Sequence, residues 1–302
     1  MKKTNIIFYI FFFFILGSCT DDIHLNNHKQ YEQKLVVYAF PTVKDTFDII
    51  VSATHSLQSQ GEILEIEYVH CKCNKQEDKI IFSHKKSVND IPLYVFKAIG
   101  KHDKKDTIQI DILAKGYPQV HASTSIPTCT KIENYSLDSI FYDGSLHAQS
   151  SIMFHAPKEQ PFYAVSAQCK YAKHDESIEY TDLETALDPI LRQTKKTSFN
   201  LSGTDNCYQK MYYFQLPTER NTSFTTLRPC ILSKYESESY LMTLYTLSPE
   251  YYYMLKSLAN QENNDLADFG LSFIYSTYTN IHNGYGCVAA YNADSTPWLP
   301  FK

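Results

Sequence analysis

The sequence has little of what usually announces a chemistry. It contains three arginines (Arg192, Arg220 and Arg228), and its 28 basic side chains face 33 acidic ones, for a formal charge of −5. A nucleic-acid binder needs a basic face that displaces counterions from phosphates, so this balance argues against nucleic acid as a partner. Neither a Gly-x-Gly-x-x-Gly fingerprint nor a Walker loop is present. There is no His-Glu-x-x-His zinc site, no Gly-x-Ser-x-Gly elbow and no Asp-x-Asp-x-Asp-Gly calcium loop. No catalytic residue and no cofactor is expected on these grounds. A hydrolase with carboxylates assembled in space would leave no local trace, and it stays as the least favoured class. Glycine is scarce at 9 residues, and tryptophan occurs once.

What the chain does have is apolar and aromatic mass. Of its 302 residues 43% are hydrophobic and 14% aromatic, with 24 tyrosines and 18 phenylalanines. That composition is globular rather than disordered, and tyrosine and phenylalanine favour strands. The length suits about two domains or one large β domain.

The first nineteen residues read as a processing segment. Lys2 and Lys3 form a positive n-region, and Ile6 to Leu16 is an unbroken apolar run. It suits a signal-peptide h-region and is short of the ~20 residues of a spanning helix. Leu16-Gly17-Ser18-Cys19 then resembles the bacterial lipoprotein lipobox, with Cys19 as the thiol that accepts the lipid. Residues 1–18 are therefore expected to be removed, and residues 19–33 to form an acylated tether. Several acyl chains anchor stably where one binds only marginally. Thr20-Asp21-Asp22 resembles the acidic surface-export signal of Bacteroidota lipoproteins, which points to an outer-membrane protein facing the cell exterior. Besides Cys19, seven cysteines remain: Cys71, Cys73, Cys129, Cys169, Cys207, Cys230 and Cys287. An exported chain could pair them, with one left over, and the connectivity cannot be read from spacing.

Residues 34–127 alternate with period two in several short runs. Phe47, Ile49 and Val51 alternate with Asp48 and Ser52, and Ile108, Ile110 and Ile112 with Gln109 and Asp111. One face buried and one wet is the mark of antiparallel sheets. Six or seven such strands predict an immunoglobulin-like β-sandwich. Polar residues 128–134 read as a linker, and residues 135–302 as a second antiparallel β-rich domain. Within it, residues 174–196 read as a long charged loop with a short helix around Asp182 to Leu191, and Thr197 to Leu201 as a strand. A helix near 249–260 is signalled by Ser248 as cap, Pro249 at the first position and Glu250 in the first turn. Asn283-Gly284 reads as a hairpin turn between Tyr278 to His282 and Tyr285 to Tyr291, because both residues tolerate positive φ. Gly286 adds backbone freedom there.

Three stretches together resemble one family. They are Lys34-Leu35-Val36-Val37-Tyr38-Ala39-Phe40, Leu247-Ser248-Pro249-Glu250-Tyr251-Tyr252, and Asn280-Ile281-His282-Asn283-Gly284-Tyr285-Gly286 followed by Val288 to Tyr291. With the lipobox, the chain resembles the Bacteroidota lipoproteins of the domain-of-unknown-function family number 4249. It would be a divergent member, with Cys287 and Ala289 where larger apolar residues are usual. The resemblance implies an outer-membrane lipoprotein encoded beside TonB-dependent transporters. It carries over no catalytic residue.

Two features remain as candidate sites. In His70-Cys71-Lys72-Cys73 the two thiols share one face of a strand. They could supply half of a zinc or copper site, form a disulfide, or simply pack. The other feature is tyrosine: thirteen lie between Tyr208 and Tyr291, including Tyr251-Tyr252-Tyr253. Consecutive helical residues point about 100° apart, so the three cannot share one buried face. Exposed tyrosines stack on sugars or anchor interfaces, and buried ones fill a β core. Trp298, in the tail with Pro297 and Pro300, is read the same two ways. The expected function is thus a membrane-anchored protein that binds a nutrient or serves a TonB-dependent transporter, against a structural or adhesive surface module.

Overall fold

A computed structural model of the chain describes residues 33–55, 63–142, 144–172, 178–186, 188–191, 206–217, 224–227, 230–232, 239–262, 264 and 276–300. The signal segment, Cys19 and the tether lie outside the described residues, as does the strand expected at Thr197 to Leu201. Residues Gln33–Lys302 form one compact unit. It is mainly β, with antiparallel sheets packed face to face and one α-helix among the described residues.

The first eight strands are β1 (Leu35–Ala39), β2 (Thr46–Ala53), β3 (Ile66–Cys73), β4 (Gln76–Glu77), β5 (Lys79–Val88), β6 (Ile91–Ile99), β7 (Thr107–Ala114) and β8 (Val120–Ser125). They form a sandwich. One sheet contains β1-β2-β6-β5 and the other β4-β3-β7-β8. The alternation of β7 drives it: Ile108, Ile110 and Ile112 are fully enclosed, facing Leu35, Val37, Ile49 and Val51 across the gap. Burying each such side chain stabilises by about 1.5–3 kcal/mol. Cys71 and Cys73 point into this same core. The outward positions of β1 are not polar. Tyr38 is half-buried and Phe40 follows it, so this face of the sheet is covered too.

The second half contributes β9 (Ile132–Tyr142), β10 (Ser145–His155), β11 (Phe162–Ala172), β12 (Ile178–Ala186), β13 (Cys207–Tyr208), β14 (Met211–Gln215), β15 (Phe224–Leu227), β16 (Cys230–Leu232) and β17 (Ser239–Leu247). Strand β11 is its spine. Along one edge it pairs with β17, and along the other with β14 and then β12. The loop and short helix expected over 174–196 are corrected here. Residues 178–186 are a full strand, and among the described residues of that stretch the helical turn is Pro189–Leu191, of 3-10 type. Two of the acids in that stretch are satisfied across the ladder. Tyr171 Oη donates to Glu179 (2.8 Å) and Gln168 Nε2 to Asp182 (2.8 Å). The polar stretch 128–134 is tied down by the second sheet. Thr130 N–H donates to Thr246 Oγ1 (3.0 Å), Ile132 N–H to Asp294 (2.8 Å), and β9 already begins at Ile132.

The helix α1 (Pro249–Glu262) forms where its cap, proline and first-turn acid placed it. Ser248 Oγ accepts the Tyr251 N–H (3.4 Å) and the Ala290 N–H (3.2 Å), and Thr124 Oγ1 of β8 lies 3.3 Å from it. Thr124 also donates to Glu250 (2.9 Å), so the helix start is bolted to the sandwich. Removing a cap costs about 0.5–2 kcal/mol. Because Ser248 is buried and serves two N–H donors, Ser248→Ala is expected at the upper end, near 2 kcal/mol, in urea unfolding.

After α1 the chain does not make the expected hairpin. Asn283 does turn, with φ +62, but β18 (Tyr285–Val288) lies parallel beside β1 as the edge strand of the first sheet. The register sets Val37 opposite Gly286. β19 (Tyr291–Ser295) and β20 (Leu299–Pro300) then pair with β17. Residues 276–281 are not strand. An Asn-Gly pair specifies a reversal, not the strand that receives the chain, and here the receiver is 249 positions earlier (Tyr285 against Val36, 285 − 36). The two glycines serve close approach. A Cβ on Gly284 would meet Leu35 O at 2.8 Å, and one on Gly286, at φ +102, would meet Val37 O at 2.0 Å.

Candidate functional site: an aromatic groove beside the helix

Helix α1 has two working faces. Tyr252, Leu255 and Ala259 pack on Phe162, Ala164, Tyr213 and Leu247 of the second sheet. Met254, one position along, packs with Cys287 and Ala289 against Tyr38, Phe40, Tyr251 and Leu258, on the covered face of the first sheet. Between these two contacts lies a groove of about 380 Å³, lined by Tyr38, Phe40, Tyr208, Gln209, Met211, Tyr251, Met254, Leu255 and Leu258. Ligand sites commonly run from about 300 to 1,000 Å³.

Rings form its walls. Tyr251 sits 5.4 Å from Phe40 and 5.5 Å from Tyr291, and Phe40 is stacked with Tyr38 at 6.5 Å and 26°. Such offset contacts are worth about 0.5–1.5 kcal/mol beyond the area they bury. Burial pushes the Tyr251 phenol well above its ordinary value, helped by Tyr291, Tyr245 and Cys287. Burial raises Tyr38 too, with Cys287 and Tyr208 adding to it. The Cys287 thiol behind Met254 is pushed up to about 12 by burial and then by Glu250, so it is a packed thiol and not a nucleophile.

The groove's lip is a two-residue turn. Tyr208 pairs with Met211, and Gln209 and Lys210 between them have φ +47 and +61. Positive φ at both central positions is the type I′ pattern, normally filled by Asn, Asp or Gly. Gln and Lys there hold backbone strain of the kind that collects at ligand clamps. Gln209 Nε2 donates to Tyr208 Oη (3.3 Å), while Lys210 Nζ turns away to Asp182 O (3.2 Å).

The three tyrosines expected to diverge do so. Tyr251 lines the groove. Tyr252 is core, stacked on Phe162 at 4.7 Å and edge-on to Tyr213 at 5.6 Å. Tyr253 is exposed, with its ring against Tyr278 at 5.8 Å. Trp298 does not line the groove: it leans on exposed Tyr180 at 5.5 Å, in a tail held where Leu299 pairs with Tyr240. Tyr38, Phe40, Tyr208, Gln209, Met211, Met254 and Leu258 were not read from sequence as binding residues. The legible signal was Tyr38, a large ring at an outward position of a strand whose inward positions are Leu, Val and Ala, with Phe40 just past the strand's end.

The cysteine pair lies at the far end of the first sandwich. Cys71 donates to Asp78 Oδ2 (3.2 Å) and Cys73 to Asp106 Oδ2 (3.3 Å). Asp78 Oδ2 also takes His102 Nε2 at 2.9 Å, and His102 Nδ1 reaches Lys44 O at 2.6 Å. The carboxylate stands between thiol and imidazole, so the imidazole cannot deprotonate the thiol. Burial pushes both thiols up, Cys73 to about 12, and the neighbouring carboxylates add to it. The Asp106 carboxyl is held low: its burial is outweighed by donors from Asn74, the Asp103 N–H and Cys73. Among the described residues, no three of His, Cys, Asp and Glu are arranged to hold a metal ion. This cluster staples the sandwich.

Among the described residues no helix is long and apolar enough to cross a membrane. No curated protein matches the chain. Pullulanase type I from Bacillus subtilis, solved with maltose, is 8% identical at a TM-score of 0.22, over 72% of this chain and 24% of that one. The adhesin InvE of Yersinia pseudotuberculosis is 10% identical at a TM-score of 0.22, over 71% of this chain and 55% of that one. The chain thus spans about a quarter and about half of these proteins, and likeness at that level assigns no activity. The family is another matter: its model matches residues 20–296, nearly the whole chain, and the protein belongs to the family described as Domain of unknown function (DUF4249).

Proposed function

We propose that the protein is a lipid-anchored, ligand-binding lipoprotein of the bacterial outer membrane, accessory to a TonB-dependent transporter, and that the groove beside α1 is its ligand site. Cys19, in Leu16-Gly17-Ser18-Cys19, is the acylated residue, and Thr20-Asp21-Asp22 directs the body to the cell exterior. The observation that carries the binding role is the groove itself, about 380 Å³ walled by Tyr38, Phe40 and Tyr251 and closed by a strained lip. The role needs no catalytic step.

The test is a gentle-detergent pull-down of the tagged, lipidated protein from its native membranes, followed by mass spectrometry. A TonB-dependent barrel recovered in stoichiometric amount is the expected result. Recovery of the lipoprotein alone, or its release from membranes unchanged by Cys19→Ala, would overturn the accessory role and leave an adhesive or stand-alone module.

A further inference from the structure

The charge pattern around the groove narrows what it can hold. None of its nine lining residues is charged. Among the described residues, the charged side chains adjoining the lining in sequence, Lys210 and Glu250, are engaged with the Asp182 carbonyl and with Thr124. An ionised ligand group placed here would lose its water without gaining a partner, at a cost of several kcal/mol. Saccharides fit poorly as well, since their many hydroxyls need a matching set of donors and acceptors. The lining offers three phenol hydroxyls and one amide, and the Gln209 amide already donates to Tyr208. The remaining surface is aromatic rings, two leucines and two thioethers. Met211 and Met254 can adjust to an irregular shape and pack against ring edges.

We infer that the groove takes an uncharged, ring-bearing apolar small molecule, gripped between Phe40, Tyr251 and Met211, with Gln209 and the tyrosine hydroxyls as its polar anchors. This rests on the reading of the groove as the ligand site. The ring slots beside the Phe40–Tyr251 pair, with Gln209 of the turn at its edge.

Two dyes with the same fused-ring skeleton test it: neutral N-phenyl-1-naphthylamine and its sulfonated counterpart, 8-anilino-1-naphthalenesulfonate. The protein used is the chain from Thr20 onward, whose body Gln33–Lys302 is compact in itself. The neutral dye should bind at least about tenfold more tightly than the sulfonate. Its affinity should not change between low and high salt, because no charge pair is screened. Met211→Arg and Leu258→Arg, on different elements and at half-buried positions, should each reverse the preference. Melting curves establish that both variants fold. Equal binding of the two dyes, or tighter binding of the sulfonate by the unaltered protein, overturns the inferred class. So does a neutral-dye affinity unmoved by both substitutions. Binding of maltotriose that the arginine variants abolish, with no binding of the neutral dye, also overturns the class but keeps the groove as a ligand site. Binding of none of the three overturns the site itself, which the pull-down, reading only the barrel partner, would not reveal.

Discussion

Gly286→Ala should cost about 3–5 kcal/mol and detach β18 from β1. Two effects add. At φ +102 a residue with a Cβ sits in a region that L side chains rarely adopt, and the new atom would fall 2.0 Å from the Val37 carbonyl oxygen and 2.8 Å from its nitrogen and carbon. Those are backbone atoms in the middle of a sheet, directly opposite in the register, and they cannot swing aside. A matched control separates the two effects. Gly116 has φ +84 with nothing within 4 Å of a built Cβ, so Gly116→Ala should cost only the conformational part, about 1–2 kcal/mol. The measurement is the urea midpoint of each variant at equal m-value. Equal losses for the two would show that the close approach to Val37 contributes nothing.

His102→Ala is expected to be of similar size, about 3–5 kcal/mol. The His102 side chain is fully buried and that of Asp78 nearly so, at 0% and 3% exposure. Its removal leaves the Asp78 carboxyl with the weak Cys71 thiol as its side-chain partner among the described residues, and strips the Lys44 carbonyl of the imidazole donor. A hollow also opens beside Phe47, whose ring lies 5.2 Å away. Removing Asp78 as well should cost less than the sum, because the second deletion no longer strands a charge. The expected coupling is about 1–3 kcal/mol in a double-mutant cycle. Strict additivity would mean that the two groups do not act as a pair.

The legible parts of the fold were those in which a local pattern and its tertiary fate agree. β7 alternates and is half-buried as written. α1 carries its own cap, proline and acid. Strand β5 was missed because its sequence, Lys-Ile-Ile-Phe-Ser-His-Lys-Lys-Ser-Val, buries neither face. It is held by its ladder with β6 and by the Asn89–Asp90 turn, both at positive φ. Strand β12 was missed because three acids in nine residues, Glu179, Asp182 and Glu184, resemble a solvated loop. In the groove, Tyr251 could be placed by helix geometry alone. The lip could not, because Gln209 and Lys210 are not turn formers, and it takes the packed strands on either side to force their φ positive. The cysteines were placed on one face correctly, whereas the carboxylates that occupy their thiols come from Asp78 and Asp106, brought in by a hairpin and a loop that the spacing does not encode.

The parallel docking of β18 on β1 also sets an order of events. Its contacts join residues 36–39 to residues 285–288, so the first sheet keeps an open edge until almost the whole chain is available. Closing so long a loop is entropically costly, and folds built on distant pairings form slowly. Residues 33–127 by themselves would therefore form a sandwich that lacks the edge strand beside β1. The last strands act as the clasp, and a polypeptide truncated between β8 and Tyr285 presents a bare β1 edge, an open invitation to strand-to-strand aggregation.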